Sequence, residues 1–175
     1  MPITITTTVG GATSNSYVSV SDADTYFESR LNTSAWTGDD DKKKALVMAA
    51  KRLQDEQWRG SRVDDTQALA WPRYDVEKYD NAGSGYGSYP TYYDTDEIPQ
   101  PVKDAQCELA LFYLQNTAAE DEANQAIVEE AAFDSNAVRV KYANAGQSRA
   151  QSGQLPLRVA RLLQGLVRGN RLVRS

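Results

Sequence analysis

The side chains able to do covalent chemistry are few. Histidine is absent and Cys107 is the only cysteine. The commonest general base near neutral pH and the commonest zinc ligand are therefore missing. A Ser/His/Asp triad and a Cys/His pair are excluded, and so is an intramolecular disulfide. Gly83-Ser84-Gly85-Tyr86-Gly87 is glycine-rich, but it lacks the Lys-[Ser/Thr] pair with which a P-loop holds phosphate and metal. Asp39, Asp40 and Asp41 are consecutive, so on a helix they point in different directions and do not converge on a metal. With Lys42, Lys43 and Lys44 behind them they read as a solvated helix start laced by i,i+3 and i,i+4 pairs. Asp64-Asp65 and Glu129-Glu130 have no catalytic spacing and read as solvated faces. No catalytic residue, metal ligand or cofactor is expected, and the chain reads as something other than an enzyme. A hydrolase using carboxylates alone is the remote remaining possibility in that class.

Binding chemistry is better represented. After Ser135 there is no Asp or Glu, but eight basic residues: Arg139, Lys141, Arg149, Arg158, Arg161, Arg168, Arg171 and Arg174. The first 134 residues hold 11 basic and 24 acidic groups, and the whole chain carries −5. An acidic body with a basic tail implies a tail that docks on something acidic. Arg158, Arg161, Leu163, Leu166, Arg168, Arg171 and Arg174 are the expected docking residues. Nucleic acid, an anionic membrane and a protein groove are the three candidate partners. The acidic body opposes attraction to DNA or lipid, which favours the protein. A second candidate is the Tyr/Gly-rich stretch 74–98. Tyrosine offers contact area at low entropic cost and glycine lets a loop adapt. Tyr79, Tyr86, Tyr89, Tyr92 and Tyr93 are its expected contacts. The alternative is a mobile surface excursion.

These residues need elements to hold them. Residues 3–9 are β-branched and Thr-rich and read as an extended arm or edge strand. Ser21 is placed as an N-cap, with Asp22 and Asp24 in the first turn and Val20 as a hydrophobic staple. Ala23, Tyr26, Phe27 and Leu31 would form that helix's apolar face. A second helix opens at Thr37–Asp41, carries Ala45, Leu46, Ala49 and Leu53 on one stripe, and ends at Trp58-Arg59-Gly60. Pro72 implies an extended segment around Ala68–Arg73. A third helix starts at Pro99 or Pro101 and runs to about Ala119. Val102, Ala105, Leu109, Phe112 and Tyr113 share one face; Cys107, Leu111 and Leu114 share the opposite one. Such a helix is either central to a bundle or shared between core and subunit interface. Residues 126–132 and 137–142 read as a hairpin, because Val138, Val140 and Tyr142 alternate with Arg139 and Lys141; helix competes over 120–132. Ala143 to Gly153 is a linker. Pro156 opens a last helix with Val159, Leu163, Leu166 and Val167 on its apolar face, weakened by Gly165 and Gly169 and in need of a partner.

The expected fold is mainly α: a small bundle of about four helices with a short β-hairpin, an extended N-terminal arm and an extended C-terminal tail. Residues 1–16 would be the arm, 17–143 the helical domain with loop 74–98 and hairpin 126–142, and 144–175 a linker with a basic docking helix. Hydrophobic residues are 41% and charged residues 25%, as in soluble globular proteins. No apolar run suits a membrane span. Met1-Pro2-Ile3-Thr4 does not read as a signal peptide, and cytoplasmic assembly is expected.

Ser16-Tyr17-Val18-Ser19-Val20-Ser21-Asp22-Ala23-Asp24-Thr25-Tyr26-Phe27 resembles the opening of the head–tail connector, or adaptor, proteins of tailed bacteriophages. The likeness continues through Ala35-Trp36, Trp58-Arg59-Gly60, Gln67-Ala68-Leu69-Ala70-Trp71-Pro72-Arg73, Ile98-Pro99 and Val102–Ala110, then Val138–Tyr142 and the helix after Leu155-Pro156. It covers most of the chain and departs at Tyr74–Glu97, which is longer than the pattern. Sequences of this kind are also labelled DnaT-like single-stranded DNA-binding proteins. The resemblance implies a virion structural protein at the head–tail junction. It would form a homo-oligomeric ring, commonly of twelve copies, under the portal protein. It would contact a downstream tail or neck protein, with double-stranded DNA passing through unbound and no membrane involved. The alternative is a single-stranded nucleic-acid-binding protein that uses the basic tail.

Overall fold

The structure, a computed structural model, describes residues 3–78, 91–115, 128–134, 137–142 and 155–168. Its elements are α1 (Val20–Glu28), α2 (Asp39–Gln54), β1 (Ser61–Arg62), β2 (Arg73–Tyr74), α3 (Gln100–Gln115), β3 (Val128–Asp134), β4 (Ala137–Tyr142) and α4 (Leu157–Leu162). The fold is mainly α with an antiparallel hairpin, as expected.

The central element is α3, which packs against α1, α2 and α4. Every residue from Ala105 to Leu111 is buried. Both predicted stripes are thus covered by this chain's own helices over that span. Cys107 and Leu111 are core residues, and Leu114 is partly buried against the core. Burial pushes the Cys107 thiol up to about 12, so it stays protonated and unreactive. On α2 the stripe Ala45, Leu46, Ala49 and Leu53 is buried as expected, joined by Ala50. The alanines let α2 and α3 approach closely, and the leucines fill the space between them.

Two polar side chains are built into this core. Gln106 is fully buried. Its Oε1 accepts from Tyr17 N–H (2.9 Å), and its Nε2 donates to Ser16 Oγ (2.7 Å) and Leu46 O (2.8 Å). It thereby ties the segment before α1 to α2 and α3. Glu108 accepts from Tyr26 Oη (2.9 Å) and Arg30 Nε (2.8 Å), and Arg158 of α4 lies 3.6 Å away. One carboxylate thus connects α1, α3 and α4.

Several expectations need correction. The cap of α1 is Ser19, which forms a capping box with Asp22; Ser21 and Val20 already lie inside the helix. Asp24, the acid of the competing register, instead accepts from Trp36 Nε1 (2.7 Å) and Lys42 Nζ (2.8 Å). Leu31 lies beyond the end of α1 and is 81% exposed. Gly38, with φ 75°, caps α2, and the helix stops at Gln54, short of Trp58. Trp58 enters an isolated bridge with Val167. The segment around Ala68–Arg73 is bent, with a cis Trp71-Pro72 bond. The N-terminal arm is extended, as expected, and is tied to the chain: Asn15 N–H donates to Thr6 O (3.0 Å), and Ala68 N–H donates to Gly11 O (3.1 Å).

The hairpin pairs β3 with β4 antiparallel, Phe133 opposite Val138 and Ala131 opposite Val140. Strand therefore wins over helix for residues 128–132. The helix α4 is six residues long, and Gly165 at φ 91° follows it. Its predicted need for a partner is met by α3: Val159, Leu163 and Leu166 are all buried. The glycine-rich run 83–87, the linker at 143–153 and the expected end of the third helix at 116–119 lie outside the described residues.

Candidate functional site

Four arginines from three parts of the chain come together beyond the C-terminal end of α2. Two lie on the short ribbon of β1 and β2, where Arg62 is the register partner of Arg73. Arg59 precedes the ribbon. Arg168 arrives from the other end of the chain, because residues 166–168 pair with 57–59. Arg59 N–H donates to Leu166 O (2.9 Å), and Arg168 N–H donates to Gln57 O (2.7 Å). The ribbon forms here because Gly60, at φ 67°, turns the chain where a side chain would run into the Tyr74 carbonyl.

Aromatic residues next to the cluster in sequence pack on one another. Trp58 and Trp71 meet edge to face at 5.7 Å, and Trp71 meets Tyr93 the same way at 6.1 Å. Arg73 is fixed by three carbonyls: its Nε donates to Arg59 O (2.6 Å), its Nη1 to Ala70 O (3.0 Å) and its Nη2 to Gly60 O (2.8 Å). Two of the five guanidinium N–H groups remain for a ligand. Burial, reinforced by the charges of Arg62 and Arg168, pushes Arg73 below its ordinary range. An arginine still keeps its charge at neutral pH. Among the described residues none of these four arginines has a carboxylate partner. Arg59, Arg62 and Arg168 are exposed. Cations held together with no directly paired carboxylate among the described residues favour an anionic ligand.

An exposed tyrosine follows along the same strand. Tyr74 follows Arg73 on β2 and is 43% exposed. Beyond Val76 the chain pairs with 91–93, through a Glu77–Tyr92 bridge and Lys78 N–H to Thr91 O at 2.7 Å. Tyr92 is 51% exposed there. Asp75 and Glu77 border this edge, so the cationic surface is local.

The predicted site residues divide accordingly. Leu163 and Leu166 are buried in the chain's own core, so they are not surface docking residues, and removal of 155–175 would open the core. Arg158 is drawn to Glu108, and Arg161 is exposed on α4. Arg168 joins the cluster. Of the loop tyrosines, Tyr93 packs on Trp71 while Tyr92 faces outward. Tyr79, Tyr86, Tyr89, Arg171 and Arg174 lie outside the described residues. Sequence reasoning missed Arg59, Arg62 and Arg73 as site residues, because it sought positive charge as a run along the chain. The available signal was Arg59 and Arg73 standing beside Trp58 and Trp71-Pro72.

No group of three or more His, Cys, Asp and Glu side chains suited to a metal occurs among the described residues. A cavity of about 10 Å³ lined by Thr8, Ser14, Ser16, Tyr17 and Trp71, among others, is far below the ~300 Å³ of a small-molecule site. The fold is that of a small, mainly helical protein with an arginine cluster at a short surface ribbon. The chain belongs to the family described as "Putative DnaT-like ssDNA binding protein", which matches residues 1–175. No curated protein and no solved structure is significantly similar to it.

Proposed function

We propose that this protein binds single-stranded nucleic acid, with Arg59, Arg62, Arg73 and Arg168 holding phosphates and Tyr74 offering a face to a base. The observation that carries the reading is that four arginines with no carboxylate partner among the described residues come together at the ribbon on which Tyr74 is exposed. Single-strand binders combine cationic tracks with aromatic stacking platforms, and arginine suits phosphate through its planar fork. The family description points the same way. The overall charge of −5 opposes approach from a distance, but salt limits that repulsion to about 8–10 Å. At contact the local cluster decides.

Fluorescence anisotropy with a labelled oligothymidylate tests this. The wild type is expected to bind with log K falling linearly in log salt, and Arg62→Ala and Arg168→Ala each to lower that slope by roughly 0.7. No binding at low salt, or wild-type behaviour in both variants, would overturn the reading.

The ring under a phage portal is the second reading. It is supported by the resemblance over most of the chain and by the concentration of basic residues after Ser135. On that reading the same arginines, with Arg158 and Arg161, would face the portal or a neighbouring copy, and the protein would reside at the head–tail junction of the virion. Electron microscopy of the chain mixed with its portal ring distinguishes the two: a stacked second ring supports the adaptor, and no association counts against it.

A further inference from the structure

We infer that docking of residues 155–168 assembles the arginine cluster, so that ligand binding and docking of this segment form one coupled equilibrium. The inference rests on the nucleic-acid reading above and concerns how that site is regulated.

The cluster is built from two kinds of parts. Arg62 and Arg73 belong to the β1–β2 ribbon, whose pairing includes no residue of the C-terminal segment. Arg59 and Arg168 are held in the antiparallel pairing of 57–59 with 166–168, with Trp58 opposite Val167. That pairing exists only while the segment is docked. The helix that anchors it is six residues long, too short to persist alone. Its hold comes from burial of Val159, Leu163 and Leu166 and from the Arg158–Glu108 pair.

Bringing Arg168 beside Arg59, Arg62 and Arg73 places like charges together, which opposes docking. A polyanion across the cluster removes that repulsion and so favours the docked state. By linkage, whatever loosens the segment weakens the ligand, and whatever binds the ligand tightens the segment by the same factor. Leu163 and Leu166 are thus positioning residues that act on the ligand through Arg168 and Arg59.

The test uses the full chain and an oligothymidylate of about 20 nucleotides, long enough to span one single-strand site. Saturating oligonucleotide is expected to slow hydrogen exchange at the amides of Ala160 and Leu163, which bond within the docked segment and stand apart from the arginines. The Leu163→Ala/Leu166→Ala variant is expected to bind roughly tenfold more weakly, with a salt slope lower by about 1.4, the equivalent of two lost phosphate contacts. Arg62→Ala reports on the underlying reading alone. No binding by the wild type, or unchanged binding in both Arg62→Ala and Arg168→Ala, ends that reading and this inference with it. If Arg62→Ala weakens binding but exchange at Ala160 and Leu163 ignores the oligonucleotide, coupling is overturned and the reading stands. Wild-type affinity and slope in a folded double variant has the same meaning. Should the double variant not fold, exchange in the wild type decides by itself.

Discussion

Gln106 sits where a leucine would be unremarkable, yet it holds three partners from two other segments. Leucine at this position would leave the buried Tyr17 N–H without its acceptor, a loss of about 1–3 kcal/mol. Urea denaturation of Gln106→Leu should show a lower midpoint with an unchanged slope. Glu108 adds a dependence on pH. Burial raises its pKa, but the Arg30 and Tyr26 hydrogen bonds and the charges of Arg30 and Arg158 outweigh this, and the net shift is downward from 4.5. A carboxyl with a lowered folded pKa contributes stability that is full above its unfolded value and is lost as pH falls through the folded one. Asp24, lowered by Lys42 and Trp36 against its own desolvation, acts in the same direction. Thermal melts should therefore show stability declining as pH drops below about 4.5, and Glu108→Gln should flatten that decline while lowering stability at neutral pH. Neither role was legible in the sequence, because the partners of both residues lie about 50 to 90 positions away.

Among the elements, the long helices were the most legible. The α2 stripe and the composition of α3 determine burial directly, since apolar residues at helical spacing have one stable use. Boundaries were less so. Ser19-Val20-Ser21-Asp22-Ala23-Asp24 offers two caps with an acid three residues on, and only the capture of Asp24 by Trp36 and Lys42 selects the first. Ser19→Ala should lower stability by about 1 kcal/mol, readable as a drop in melting temperature, whereas Ser21→Ala should be nearly silent. The β1–β2 ribbon, two residues per strand, leaves almost no periodic signal. It depends on Gly60, where positive φ and the nearby Tyr74 carbonyl both exclude a side chain. Gly60→Ala is expected to cost more than about 1 kcal/mol and to reduce oligonucleotide binding beyond its effect on stability, because Arg62 and Arg73 take their positions from the ribbon that this turn starts.

At the scale of the whole molecule, the two ends of the chain's chemistry meet. Arg59 and Arg168 are over a hundred residues apart, and the sequence presents them as part of an acidic body and a basic tail. Folding erases that division: residues 155–168 complete the core, and one of the tail's arginines becomes the neighbour of three from the body. The charge asymmetry is legible in the sequence, but where its arginines come to lie depends on tertiary pairing that no local pattern encodes. A different consequence follows from the single thiol. Cys107 lies at the centre of α3, buried in the core and held in its unreactive protonated form. A thiol reagent such as a disulfide dye should leave the native protein untouched and label it in full in denaturant, so the labelling rate becomes a clock for opening of the core. A cysteine introduced at an exposed position, Ser61 for instance, would then react alone. The molecule thus accepts a fluorophore or spin label beside its arginines with its natural cysteine left in place.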